Sequence, residues 1–240
     1  MRLGISNTTS SSGNRPLSAF SIADVSSLQL WLKNGGSQTL NSGNISQWND
    51  DSGNDNHATQ STASFQPQAD GGGALLDGLD DRLDLTSNIT LQQFHMFFVL
   101  DLDSVVNETL FGNSSDAGQF SRLQDSNTYR HKFNSSNEVK VFDYTSGKSV
   151  STGTKFLYEF FRDSDSIEIF VDGDNFTATP GGDNSSNPSS HTVTINQLFT
   201  QQNNAANIDG HVFEVAMFNA VLTGSDLTNV RNDINTRNGL

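Results

Sequence analysis

The densest set of oxygen ligands in the chain is Asp50, Asp51, Asn54, Asp55 and Asn56, gathered in seven residues. Hard oxygen donors at this density suit a calcium ion, although the spacing is not that of an EF-hand loop. Asp50, Asp51, Asn54 and Asn56 are therefore the candidate metal ligands, and Ca²⁺ the candidate cofactor. The other reading, which the sequence favours, is that Asp50 and Asn54 cap the loop's own backbone N–H groups.

A glycosidase would need two carboxylates on one face, set to straddle a sugar bond. The nearest approach is Glu168-Ile169-Phe170-Val171-Asp172. Glu168 and Asp172 share a face, but Phe170 lies between them and Asp172 begins an Asp-Gly turn. His57, His95, His131, His191 and His211 show no metal-ligand spacing, and no nucleophile elbow, zincin or phosphate-loop motif is present. No catalytic residue is assigned and the chain is expected to be non-enzymatic. A glycan site would need an exposed aromatic platform. Trp31 and Trp48 are expected in the core, leaving Tyr129, Phe133, Phe142 and Tyr144 as the aromatics that could be exposed.

Short strands must position all of these groups. Leu28, Leu30 and Leu32 alternate with Gln29, Trp31 and Lys33, which predicts a strand with three leucines on one face and Trp31 on the other. Leu91 to Leu100 reads as a long strand covered on both faces. Lys155–Phe161 and Ser166–Val171 read as strands, the second ending in the hairpin signal Asp172-Gly173, with Phe176–Thr179 returning. Gly210–Phe218 is the last strand. Helical spacing appears only after it: Thr223 and Asp226 suggest a capping box, Leu227, Val230 and Ile234 share a face, and Gly239 ends the helix.

The 240 residues fit one large all-β domain. Leu, Ile, Val and Phe make up roughly a quarter of the chain, enough for a real core despite a mean hydropathy of -0.47. A net charge of -14 argues against nucleic acid and anionic membranes as partners. With no cysteine, neither a disulfide nor a thiolate metal site can form.

Four segments, in order, resemble laminin-G-like, concanavalin-like lectin domains. Leu28-Gln29-Leu30-Trp31-Leu32 precedes Trp48-Asn49-Asp50-Asp51-Ser52-Gly53-Asn54-Asp55-Asn56-His57-Ala58-Thr59-Gln60. Then come Asp77-Gly78-Leu79-Asp80-Asp81-Arg82-Leu83 and the closing strand Gly210–Phe218 with its helix. The resemblance implies a concanavalin-like jelly-roll sandwich of two antiparallel sheets with a short C-terminal helix, spanning residues 25–240. By family analogy, Asp77, Asp80 or Asp81 would complete any calcium site.

Residues 1–24 form a polar N-terminal arm in which Leu17, Phe20 and Ile22 could anchor a partner. An arm of this kind before a lone domain resembles uncharacterised structural proteins of tailed marine phages. That likeness implies a virion structural protein assembled in the host cytoplasm: a capsid decoration or cement protein docked on the major capsid protein and expected to be homo-oligomeric. The alternative is a carbohydrate-binding adhesin module of a phage fibre or bacterial surface, with a host-surface glycan as partner.

Overall fold

A computed structural model describes residues 20–132, 139–143 (backbone only), 145, 147–163, 166–177, 192–202 and 206–240. Among the described residues, seventeen strands precede one α-helix. The first seven are β1 (Leu28–Leu32), β2 (Gln38–Asn41), β3 (Asn44–Trp48), β4 (Ala58–Thr59), β5 (Gln68–Asp70), β6 (Gly73–Asp77) and β7 (Leu83–Leu91). Then follow β8 (Phe94–Leu102), β9 (Glu108–Gly112), β10 (Phe120–Asp125), β11 (Thr128–Lys132) and β12 (Val139–Asp143). The last are β13 (Phe156–Asp163), β14 (Ser166–Val171), β15 (Asp174–Asn175), β16 (Val193–Leu198) and β17 (Asp209–Phe218), with α1 at Gly224–Asn238.

One layer runs β1-β17-β8-β13-β14-β15, with β6 beside the start of β17. The other runs β12-β11-β10-β9-β16-β7-β4-β3, with β2 and β5 on β3. Every described pairing is antiparallel, and β5–β6 links the two layers. The protein is an all-β jelly-roll sandwich with one C-terminal helix, as the sequence pattern predicts.

Strand β8 shows why its residues are nearly all apolar. Phe94, Met96, Phe98, Leu100 and Leu102 enter the core between the sheets. Phe97 and Val99 point the other way, into a second cluster under α1. A strand buried on both faces loses the polar alternation of a surface strand. The run predicted over residues 91–100 is in fact broken, because Gln92 and Gln93 turn the chain between β7 and β8.

Two bulges correct the simple alternation. A register shift between Leu28 and Leu30 sends Leu28 to the second cluster with Trp31, leaving Leu30 and Leu32 in the main core. The extra residue reverses the facing of everything before it. A similar shift between Val212 and Glu214 divides β17.

The helix ends on Gly239 in the left-handed region, φ 70°. Val230 and Ile234 are fully buried and Leu227 half-buried. Thr223 occupies the N-cap position but its side chain makes no capping bond. The capping box of this layer lies instead at Ser21 and Asp24, around a 3-10 turn at Ile22–Asp24. No helix among the described residues is long and apolar enough to cross a membrane.

Candidate functional site

The loop after β3 is built to hold itself. Asp50 is 7% exposed. Its Oδ1 accepts from the N–H groups of Trp31 and Ser52, both at 2.9 Å. Its Oδ2 accepts from Ser52 Oγ at 2.7 Å and Asn56 N–H at 3.0 Å. The amide of Asn54 donates to Leu28 O and that of Asn56 to Gln29 O, each at 2.9 Å. His57 Nδ1 accepts from the Asp50 N–H at 3.1 Å, and Asp51 N–H donates to Trp31 O at 2.9 Å.

Of the four calcium candidates Asp50, Asp51, Asn54 and Asn56, the hydrogen bonds of Asp50 fit the capping reading. The oxygens of Asp50 face N–H and O–H donors, and the two asparagines present hydrogens to β1. A carboxylate so surrounded acts as a fastener between loop and strand.

Carboxylates do converge after β6, where the family resemblance points. One oxygen each from Asp77, Asp80 and Asp81 lies within 4.8 Å of the others. Asp77 Oδ1 accepts from Leu79 N–H at 2.9 Å and Asp80 N–H at 3.4 Å, and Asp81 Oδ2 from Asp77 N–H at 3.2 Å. Gly78 makes the turn possible at φ +72°, and a Cβ there would lie 2.9 Å from Asp209 Cβ. Burial, and then the neighbouring Asp77, push the Asp81 carboxyl up to about 6.

Two clefts flank this loop and meet at Asp209. One, of about 450 Å³, has a polar wall that includes Asn44, Gln66, Gln68, Asp77 and Asp103. The other, of about 510 Å³, is lined by Leu79, Val106, Glu108, Arg122, Asn207 and Asp209. Leu79 and Val106 are 74% and 63% exposed. Glu108 is buried, and its Oε2 accepts from Asp209 N–H at 2.7 Å. Burial pushes the Glu108 carboxyl up to about 7. Asp209 is raised as well, by burial and then by Asp103 and Asp77. Asn207 donates through Nδ2 to Leu79 O, while its buried Oδ1 has no partner among the described residues.

Apolar side chains beside convergent carboxyl, amide and guanidinium groups are what a polyhydroxylated ligand requires. Asp77, Asp80 and Asp81 were legible by resemblance. Glu108, Asn207 and Asp209 were not, because they come together only through the β9 and β17 pairings.

The remaining sequence candidates fall elsewhere. Tyr129 is fully buried, with its hydroxyl on Ser121 Oγ, which corrects its reading as an aromatic that could be exposed. Trp31 and Trp48 are core residues, as expected. Phe133, Tyr144 and the side chain of Phe142 lie outside the described residues, as does Leu17. Phe20 is half-buried and Ile22 fully buried, both packed in the cluster under α1. Ile22 thus anchors the chain to its own domain. Asp172 sits in the β14–β15 turn at φ 51° and accepts from Leu157 N–H at 2.8 Å, so it does not face Glu168 across a groove.

No protein-family model matches the chain, and no curated protein matches it. Solved structures do. Domain 4 of AbnA, a GH43 extracellular arabinanase from Geobacillus stearothermophilus solved with arabinotriose, superposes with a TM-score of 0.59 at 15% identity. The match covers 85% of this chain and 98% of that one. Trypanosoma rangeli sialidase, as its complex with 2,3-difluorosialic acid, gives 0.54 at 11% identity over 88% of this chain. A mutant of HCR D/C VPI 5995 gives 0.53 at 15% over 89%. The chain corresponds to 33% of the sialidase and 53% of the HCR chain. At these identities the likeness is one of fold, and it establishes a concanavalin-like antiparallel sandwich.

Proposed function

We propose that this protein is a non-enzymatic carbohydrate-binding module whose ligand lies in the clefts on either side of residues 77–81. The carrying observation is the second cleft, where exposed Leu79 and Val106 stand beside Glu108, Asn207 and Asp209. Sugar rings offer apolar C–H faces and a fringe of hydroxyls, which such a surface complements. The fold supports the reading, since a neighbour matched over nearly its whole length was solved with arabinotriose.

The capsid-decoration reading ranks second. Of its three anchoring residues, Ile22 is consumed by the domain itself and Leu17 lies outside the described residues. A virion or a cell surface would each suit display of such a module.

A panel of immobilised plant, bacterial and algal polysaccharides tests the reading. Binding to at least one of them should be lost in Asn207→Ala and in Leu79→Asp. Failure to bind any of them, or binding untouched by both substitutions, would contradict it.

A further inference from the structure

Strands β10 and β11 form a hairpin that sets Phe120 opposite Lys132 and Arg122 opposite Arg130. Directly opposed residues on antiparallel strands share a face, as do residues two apart. Phe120, Arg122, Arg130 and Lys132 therefore make one two-by-two patch. The intervening Ser121, Leu123, Tyr129 and His131 are buried.

The patch is unusual in its pairing. The chain carries a net charge of -14, yet none of these three cations forms an ion pair among the described residues. Arg231 and Arg237, by contrast, each bind a carboxylate. The ribbon's own acid, Asp125, is occupied by Asn127 N–H at 3.0 Å in the turn. Like charges placed directly opposite one another repel. Burial, and then Arg130, push the Arg122 guanidinium down to about 10.

The guanidinium groups are also held in place. Those of Arg122 and Arg130 lie 5.0 and 5.7 Å from the centroid of Phe120, whose ring they bury. Arg122 Nη1 donates to Gln201 Oε1 at 3.1 Å, and Gln201 Nε2 donates to Ala117 O at 3.1 Å. The Nε atoms of both arginines are buried without a hydrogen-bond partner among the described residues. The Arg130 side chain makes no hydrogen bond among the described residues. Side chains fixed by stacking lose less freedom on binding, and a guanidinium fork matches a carboxylate or sulfate.

We propose that Arg122, Arg130 and Lys132 form an oxyanion subsite beside the glycan cleft, taking the carboxylate or sulfate of an acidic polysaccharide. The inference rests on the glycan-binding reading, since Arg122 also lines the cleft with Leu79 and Val106. Glu108 and Asp209 on the same cleft disfavour a ligand whose charge falls elsewhere, which makes the position of the acidic group a source of selectivity.

Calorimetric titration tests it with oligogalacturonide, its fully methyl-esterified form, and a sulfated galactan oligosaccharide with its desulfated counterpart. All would be run at about 0.1 M ionic strength, where charges beyond about 10 Å are screened. At least one acidic ligand should bind about tenfold or more tighter than its neutral partner. Whichever acid shows the preference identifies the source of the oxyanion. In Arg130→Gln, and separately in Lys132→Gln, the preference should shrink, each variant's fold being checked by circular dichroism. Equal binding of acidic and neutral forms would overturn the subsite and leave the glycan reading intact. If no sugar binds, inorganic sulfate shifting the amide resonances of residues 120–132 saturably would keep the subsite and sink the glycan reading. No response to sugar or sulfate would sink both.

Discussion

Arg231 grips both carboxylate oxygens of Glu159, Nε to Oε2 and Nη2 to Oε1, each at 2.7 Å. The pair fastens α1 to the outer face of β13. Glu159 is 1% exposed and Arg231 28%. His95 completes the site: its Nδ1 accepts from Leu222 N–H at 3.1 Å, so its Nε2–H donates to Glu159 at 2.7 Å. Burial alone would raise the Glu159 carboxyl, but the bonds from His95 and Arg231 hold it below its ordinary value. Removing one partner of a buried pair strands the other charge. Arg231→Met should therefore cost about 3 kcal/mol, measured by urea unfolding. Arg231→Met with Glu159→Leu should recover much of that loss. Additive losses would show the two residues to be uncoupled.

Asp50 offers a second test. Its carboxylate satisfies three backbone N–H groups and one hydroxyl. Asp50→Ala orphans buried donors and should cost about 2–4 kcal/mol. Because the role is that of a fastener, the loss should be the same in EDTA and in excess calcium. A loss that vanished in EDTA would restore the calcium role.

The pH dependence of stability follows from the cleft carboxyls. Glu108 is raised from 4.5 to about 7 and Asp81 from 3.8 to about 6. A raised acid binds a proton in the folded state that the unfolded chain has released, so its share of stability falls as pH rises between those values. Glu159 acts in the opposite sense, its contribution being lost as pH falls below the ordinary carboxylate range. Thermal melts from pH 2 to pH 8 should thus fall on both flanks. Glu108→Gln should flatten the neutral flank, and an unchanged profile in that variant would contradict the assignment.

Gly78 tests the loop between the clefts. A methyl group at φ +72° would press on Asp209 Cβ at 2.9 Å. Gly78→Ala should cost about 1–3 kcal/mol and weaken glycan binding by displacing residues 77–81. Full binding in a destabilised variant would separate the loop from the site.

The sandwich was legible because its signals are local. Alternation in β13 and β14, the Asp172-Gly173 turn and the apolar run in β8 each need only neighbouring residues. The bulges in β1 and β17 were not, since nothing in Leu28-Gln29-Leu30 marks where an extra residue is inserted. Asp50 was legible as a cap, while its partner Trp31 N–H lies nineteen residues away. The cleft was the least legible part, because Glu108, Asn207 and Asp209 share a wall only after β9 and β17 have taken their places. The opposed arginines did leave a trace. Arg122 and Arg130 flank the turn residues Asp125-Ser126-Asn127-Thr128, and a hairpin centred there sets them face to face.

The central claim is that sugar binds around residues 77–81. Amide shift mapping during titration with the tightest-binding oligosaccharide tests it most directly. The account predicts saturable shifts clustered at residues 77–81, 104–108 and 206–209, with Arg122 at their border. Shifts confined to the face covered by α1, or the absence of any saturable shift, would contradict it.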